Sequence, residues 1–120
     1  MAKTKTLQVG NRGIDFRGSA LLPKLYRAKF GRDLIRDISR LEKNVKRKED
    51  GSIENLDMMD LTIFEDFAYM MAKHADPTVP EDPDEWLDSI DGVLDVYLIF
   101  PELLELWSSN IHTTSIPAKK

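Results

Sequence analysis

A chain of 120 residues is long enough for one modest hydrophobic core and too short for two, so we predict a single domain. Its composition, with 42% hydrophobic and 32% charged residues, is typical of a soluble globular protein and argues against extensive disorder. The absence of cysteine excludes disulfides, thiolate metal sites and thiol nucleophiles, and it is compatible with a reducing cytoplasm. No apolar run is long enough for a secretory signal or a membrane span, so we expect neither.

The net charge of -4 conceals a strong asymmetry along the chain. Residues 1–48 contain 14 Lys and Arg against 4 Asp and Glu, whereas residues 49–120 contain 3 against 17. Three consequences are open at this point. The two halves attract each other within the fold, copies of the chain associate head to tail as a homo-oligomer, or both charged faces are simply solvated.

The N-terminal residues 1–17 predict a β-hairpin or arm. Two short β-prone segments, Thr4–Val9 and Ile14–Phe16, flank a turn rich in glycine and asparagine. A two-stranded ribbon is marginally stable alone, so its apolar side chains must pack on another element. These side chains are Leu7, Val9, Ile14 and Phe16.

Two helices are predicted after the hairpin. Ser19 as N-cap and Pro23 in the first turn indicate a short helix, and Gly31 is placed to end it in a left-handed conformation. A second helix begins near Arg32 or Asp33. Its apolar stripe consists of Leu34, Ile38, Leu41 and Val45.

A row of cations follows another face of this second helix. The arginines of this predicted charged interaction face are Arg32, Arg36, Arg40 and Arg47. Cations one turn apart can follow a phosphate backbone, and Tyr26 or Phe30 can stack on bases. The acidic total charge and the lack of a recognisable binding motif argue against a nucleic-acid partner.

The segment Asp57–Ala75 is apolar around most of a helical circumference, so we predict a central helix that its neighbours must cover. Asp57 or Asp60 can cap its start, and the Asp76-Pro77 pair ends it. The alternative is that its methionine-rich face binds a partner in a groove.

The remaining residues predict a short helix and a longer apolar element. Asp82 followed by Pro83 is a strong helix-start signal. Val93–Trp107 follows a helical period, and Pro101 inside it predicts either a kink or a second helix that starts there. Residues 108–120 lack periodicity and predict a flexible C-terminal tail.

Together these segments predict a mainly α fold. We expect a small helical domain of about five helices over residues 1–107, with a short N-terminal β-hairpin. The sequence offers little for catalysis: His74 and His112 lack metal-ligand spacing, and no phosphate-binding loop or nucleophile motif occurs. We therefore predict a protein that is not an enzyme and uses no cofactor, with His74 serving as a cation at a helix C-terminus.

Four stretches, which together span nearly the whole chain, carry a resemblance to a known family. They are FRGSALLPKLYRAKFGRDLIRDISRLEK from Phe16 to Lys43, IFEDFAYMMAKHADP from Ile63 to Pro77, EWLDSID from Glu85 to Asp91, and FPELLELWSSNIHTTSIPAKK from Phe100 onward. In this order they resemble the tail assembly chaperones of long-tailed phages and prophages of Gram-positive bacteria.

The resemblance implies a mainly helical protein that binds the tape measure protein, a very long and largely helical chain. Such a chaperone keeps this client soluble in the host cytoplasm while tail tube subunits polymerise around it, and it is absent from the mature virion. Two other classes stay open: a virion component, such as a head-tail connector or tail-completion protein, and a nucleic-acid-binding regulator.

A helical client needs an apolar strip to lie against, and aromatic side chains in the C-terminal part can supply one. The predicted partner-binding residues are Trp86, Tyr97, Phe100 and Trp107. The alternative is that these aromatic side chains pack in the core, as Trp and Tyr in small domains usually do.

Overall fold

The structure, a computed structural model, describes residues 3–47, 58–92 and 95–111. Within these ranges the elements are β1 (Lys3–Val9), β2 (Arg12–Gly18), α1 (Leu22–Phe30), α2 (Leu34–Arg47), α3 (Met58–Ala75), α4 (Pro83–Asp88), α5 (Asp95–Leu98) and α6 (Phe100–Ile111). The predicted mainly α fold with an N-terminal β-hairpin is confirmed, and the described residues form six helices.

The N-terminal hairpin packs against the central helix through one face. Strands β1 and β2 are antiparallel, with Val9 opposite Arg12, which leaves Gly10 and Asn11 as a tight turn. Gly10 has φ 66°, the left-handed conformation that a type II′ turn requires at its first central position. The inward side chains are the predicted ones, and all are buried: Leu7, Val9, Ile14 and Phe16. Their burial, with β2 packed on α3 and α6 and β1 on α5 and α6, explains why an otherwise marginal ribbon is stable.

Helix α1 ends as predicted but begins differently. Gly31 has φ 72° and its N–H donates to the Arg27 carbonyl over 2.8 Å, which is a left-handed C-cap. The prediction of Ser19 as N-cap is wrong, because the residue before the first turn is Leu21. The Ser19 hydroxyl instead accepts from the Leu21 N–H and bonds to the His74 ring.

Helix α2 begins with a side-chain cap. The Asp33 carboxylate accepts from the backbone N–H groups of Ile35, over 3.0 Å, and Arg36, over 3.4 Å. The predicted apolar stripe is buried at Leu34, Ile38 and Leu41, while the Val45 side chain lies outside the described residues. This stripe packs α2 against α1 and α3.

Helix α3 is the central element, as predicted. It contacts β2, α1, α2, α4 and α5. Its buried apolar residues are Ile63, Phe64, Phe67, Ala68, Tyr69, Met70, Met71 and Ala72. Asp60 is not a cap: it lies within the helix, is almost fully buried and pairs with Arg40 over 2.9 Å. Asp57, the other predicted cap, lies outside the described residues.

The C-terminal part consists of three short helices around α3. Asp82 caps α4 by accepting from the Asp84 N–H over 3.0 Å, as predicted. The long apolar element divides at Ile99, and Pro101 falls in the first turn of α6, where a missing N–H costs nothing. Helix α6 continues past the predicted domain boundary at Trp107, so the first residues of the predicted tail are helical; residues 112–120 lie outside the described ranges.

Candidate partner-binding surfaces

Trp86, one of the predicted partner-binding residues, lies in the core. Its side chain is 2% exposed. Its ring packs edge-on against Phe16 of β2, with 6.5 Å between centroids, and against Tyr69 of α3, with 5.9 Å. Trp86 therefore joins the hairpin, α3 and α4 from the inside and does not present its ring to a partner.

Phe100 and Trp107 are also buried. Phe100 packs on Phe64 with 4.7 Å between ring centroids, and Trp107 packs edge-on against Phe67 at 5.9 Å. Both contacts fix α6 on α3. The core-packing alternative thus describes the observed position of three of the four aromatic residues in the predicted set.

Tyr97 differs from the other three because part of its side chain is accessible. Its hydroxyl donates to the Glu65 carboxylate on α3. Burial, together with this carboxylate, raises the pKa of Tyr97 to about 12, so the phenol is neutral at physiological pH. Tyr97 is therefore the member of the predicted set that reaches the surface.

Arg32, the first residue of the predicted charged face, is partly buried and bonded to other side chains of the protein. The Arg32 guanidinium donates to Asp66 of α3 over 2.6 Å, to Asp37 over 3.0 Å and to the Tyr26 hydroxyl over 2.8 Å. Tyr26 in turn donates to Asp37 over 2.8 Å. Burial raises the pKa of Asp66, and its bonds to Arg32 oppose this effect. Arg32 therefore holds α1, α2 and α3 together.

Among the other arginines of the predicted charged face, one forms an ion pair with α3 and one is exposed without such a pair being described. Arg40 is 45% exposed and pairs with the buried Asp60, Arg36 is exposed, and the Arg47 side chain lies outside the described residues. The attraction between the basic and acidic halves of the chain is thus used within the fold by Arg32 and Arg40. Fewer cations remain for a phosphate backbone than the sequence suggested.

Several apolar side chains outside the predicted partner-binding set are exposed. Among the described residues the large ones are Leu21, Ile35, Met58, Met59 and Leu98. The methionine-rich central helix buries Met70 and Met71 in the core and leaves Met58 and Met59 of its first turn exposed. The sequence could have indicated the exposure of Ile35 and Leu98, because both fall outside the apolar stripes of their helices.

Comparison of the chain with protein-family models, curated proteins and solved structures finds no match. In the residues that the structure describes, no three acidic or histidine side chains are grouped so as to hold a metal ion. None of the helices in residues 3–47, 58–92 and 95–111 combines the length and apolarity needed to span a membrane.

His74, in the last turn of α3, is partly buried beside the hairpin, which disfavours the predicted role of a helix-end cation. Its Nε2 lies 2.7 Å from the Ser19 hydroxyl. Burial, and secondarily the nearby Arg17, lowers the pKa of His74 below its ordinary value. The ring is therefore neutral at pH 7, and its bond with Ser19 connects the end of α3 to the segment between β2 and α1.

This lowered pKa predicts a loss of stability in mild acid. The unfolded chain binds a proton at His74 near pH 6.5 and the folded chain only at lower pH, so the free energy of unfolding decreases as pH falls through that window. His74→Gln keeps a group that can bond Ser19 and removes the titration. Urea unfolding between about pH 5 and pH 8 should show wild type losing stability relative to this variant as pH falls. A relative gain would indicate a stabilising helix-end cation.

Proposed function

We propose that this protein is a tail assembly chaperone of a long-tailed phage or prophage that binds the tape measure protein. It keeps this client soluble in the host bacterial cytoplasm, helps to recruit tail tube subunits, and is not retained in the mature virion. One observation carries the proposal: the stretches that resemble this family, in the same order, supply β2's end, α1, α2, α3, α4 and α6, which build the core. The resemblance therefore covers most of the buried core, but not its members on β1 and α5.

Accessible apolar side chains support the proposal. A chaperone that holds a long helical client must offer apolar surface that its own fold leaves uncovered. Ile35 on α2, Met58 and Met59 at the start of α3, and Leu98 on α5 meet this requirement. The buried aromatic residues of α4 and α6 do not, because contact with them would require the core to open.

The distribution of exposed charge is compatible with recruitment and stacking along a client. Exposed cations, such as Lys24, Arg27 and Arg36, belong to α1 and α2, and exposed carboxylates, such as Asp84 and Glu85, belong to α4. Opposite charge on different elements favours head-to-tail contacts between copies, or between this protein and tube subunits. We include a homo-oligomer in the proposal on this basis.

Co-expression tests the proposal directly. The protein and the long tape measure candidate from the same genome are produced together and separately, and the soluble fractions are purified and sized. We expect the candidate to be soluble only in a complex with this protein. A candidate that is equally soluble alone, with no complex formed, would contradict the proposal. Finding the protein in purified particles would instead support the virion-component alternative.

A further inference from the structure

A surface cleft of about 390 Å³ lies between α4 and α5. Its apolar lining comprises Leu87, Ile90, Val96 and Tyr97, and its acidic lining comprises Asp88 and Asp91. We call it the α4–α5 cleft. It contains the accessible member of the predicted aromatic set, and the residue after Tyr97 is Leu98, whose side chain is 66% exposed.

The apolar side of the α4–α5 cleft is only partly covered by the protein itself. Leu87, Ile90 and Tyr97 pack against the core on one side and keep accessible surface on the other. Transfer of such surface from water to an apolar partner is favourable in proportion to the area covered. The cleft is therefore suited to apolar side chains of a partner.

The charged side chains that line the α4–α5 cleft, Asp88 and Asp91, are both acidic, while Arg12 of β2 donates to the neighbouring Ser89 carbonyl over 3.1 Å. Asp88 and Asp91 are exposed at the cleft, and Asp84 and Glu85 are exposed on the same helix, α4. None of the residues lining the cleft, all of which lie in the described part of the chain, is Lys or Arg. This field attracts cations and repels carboxylates at the approach to the apolar surface.

We propose that the α4–α5 cleft binds an amphipathic helical segment whose apolar face is bordered by Lys or Arg. The apolar side chains of this segment cover Leu87, Ile90 and Tyr97. Its cations lay their aliphatic stems along the cleft and place their charged heads beside Asp88 and Asp91. The inference rests on the proposed function, since it makes such a segment of the tape measure protein the bound element.

Two fluorescent peptides test the cleft without the client. Both have about 18 residues with leucines at the same helical positions; one carries Lys and the other Glu on the polar face. Fluorescence anisotropy should show binding of the Lys peptide, weakening as salt is added, and binding at least about tenfold weaker for the Glu peptide. Equal affinities for the two peptides would overturn the inference.

Matched variants locate the binding. The double variant Asp88→Asn/Asp91→Asn should weaken binding of the Lys peptide by about fivefold to tenfold, as loss of two exposed ion pairs predicts. Its control is Glu102→Gln/Glu105→Gln, which makes the same change in net charge at exposed positions of α6 outside the cleft. An equal effect of both double variants would overturn the inference, because the peptide would then respond only to total charge.

A second pair of variants tests the apolar contribution. Ile90→Ser, in the apolar lining of the cleft, should weaken binding of the Lys peptide, whereas Ile35→Ser, at a 56% exposed position on α2, should not. Thermal unfolding checks that all variants remain folded, including Ile90→Ser, whose side chain is partly buried. If Ile35→Ser alone weakens binding, the basic segment binds on α2 and the inference is wrong.

The same variants in co-expression separate this inference from the proposed function. If the tape measure candidate stays soluble with Asp88→Asn/Asp91→Asn and with Ile90→Ser, the client binds elsewhere; the cleft inference fails while the chaperone function stands. If the Lys peptide binds the cleft but the candidate forms no complex with wild type, the proposed function fails and the cleft remains a site for basic segments. Self-association lost in the same variants would assign the cleft to a second copy and overturn the inference.

Discussion

Trp86→Ala is expected to lower the free energy of unfolding by about 3–5 kcal/mol. The Trp86 ring is 2% exposed and contacts Phe16 of the hairpin and Tyr69 of α3, so its removal leaves a cavity where three elements meet. Such a loss is a large share of the stability of a domain of this size. Urea unfolding followed by far-UV circular dichroism measures it without relying on the deleted fluorophore.

Leu98→Ala is the matched control for Trp86→Ala. Leu98 is exposed, so its truncation should change the free energy of unfolding by less than about 0.5 kcal/mol. A Trp86→Ala variant that keeps its stability but no longer holds a tape measure candidate would restore Trp86 to the partner-binding role that the sequence suggested. A fully unfolded variant would agree with the core position.

Arg32→Met is expected to cost about 2 kcal/mol of stability at neutral pH. Breaking a fully buried ion pair costs roughly 3–5 kcal/mol, and this value is reduced here because the Arg32 side chain remains 33% exposed. The substitution leaves Asp37 and Asp66, each 15% exposed, without their shared cation. It also removes the donor that the Tyr26 hydroxyl accepts from.

The cost of Arg32→Met should shrink in acid. Burial already raises the pKa of Asp66, and without Arg32 nothing in this network opposes that shift, so the carboxyl binds a proton at higher pH in the variant. A protonated Asp66 needs no cation, and the difference between wild type and variant should therefore be smaller near pH 4 than at pH 7. Denaturant unfolding at both pH values measures this difference.

Arg36→Met removes the same charge from an exposed position of α2 and serves as the control for Arg32→Met. We expect a change within about 0.5 kcal/mol at either pH. Equal costs for the two variants would show that the Arg32 network adds nothing to stability. A cost of Arg32→Met that grows in acid would contradict the assigned role of Asp66.

Local signals in the sequence determined most of the elements. The hairpin follows from two alternating segments around Gly10, the end of α1 from Gly31, the start of α4 from Asp82, and α3 from its apolar period. Each depends on conformations and hydrogen bonds available within a few residues, so each can be predicted without knowledge of the fold. Ser19 is not the cap because α1 begins at Leu22, and its hydroxyl also bonds to His74, which is distant in the chain.

Only the tertiary structure decided which apolar and charged side chains are exposed. An apolar aromatic residue looks the same in the sequence whether it belongs to a core or to a binding surface. Packing against α3 buries Trp86, Phe100 and Trp107. Arg32 and Arg40 differ from the exposed Arg36 because they pair with Asp66 and Asp60 of α3. The α4–α5 cleft is lined by residues from two separate elements. Periodicity fixes the face of a helix on which a residue lies, but not what covers that face. The packing of distant segments settles that, because it alone determines which surface is removed from water.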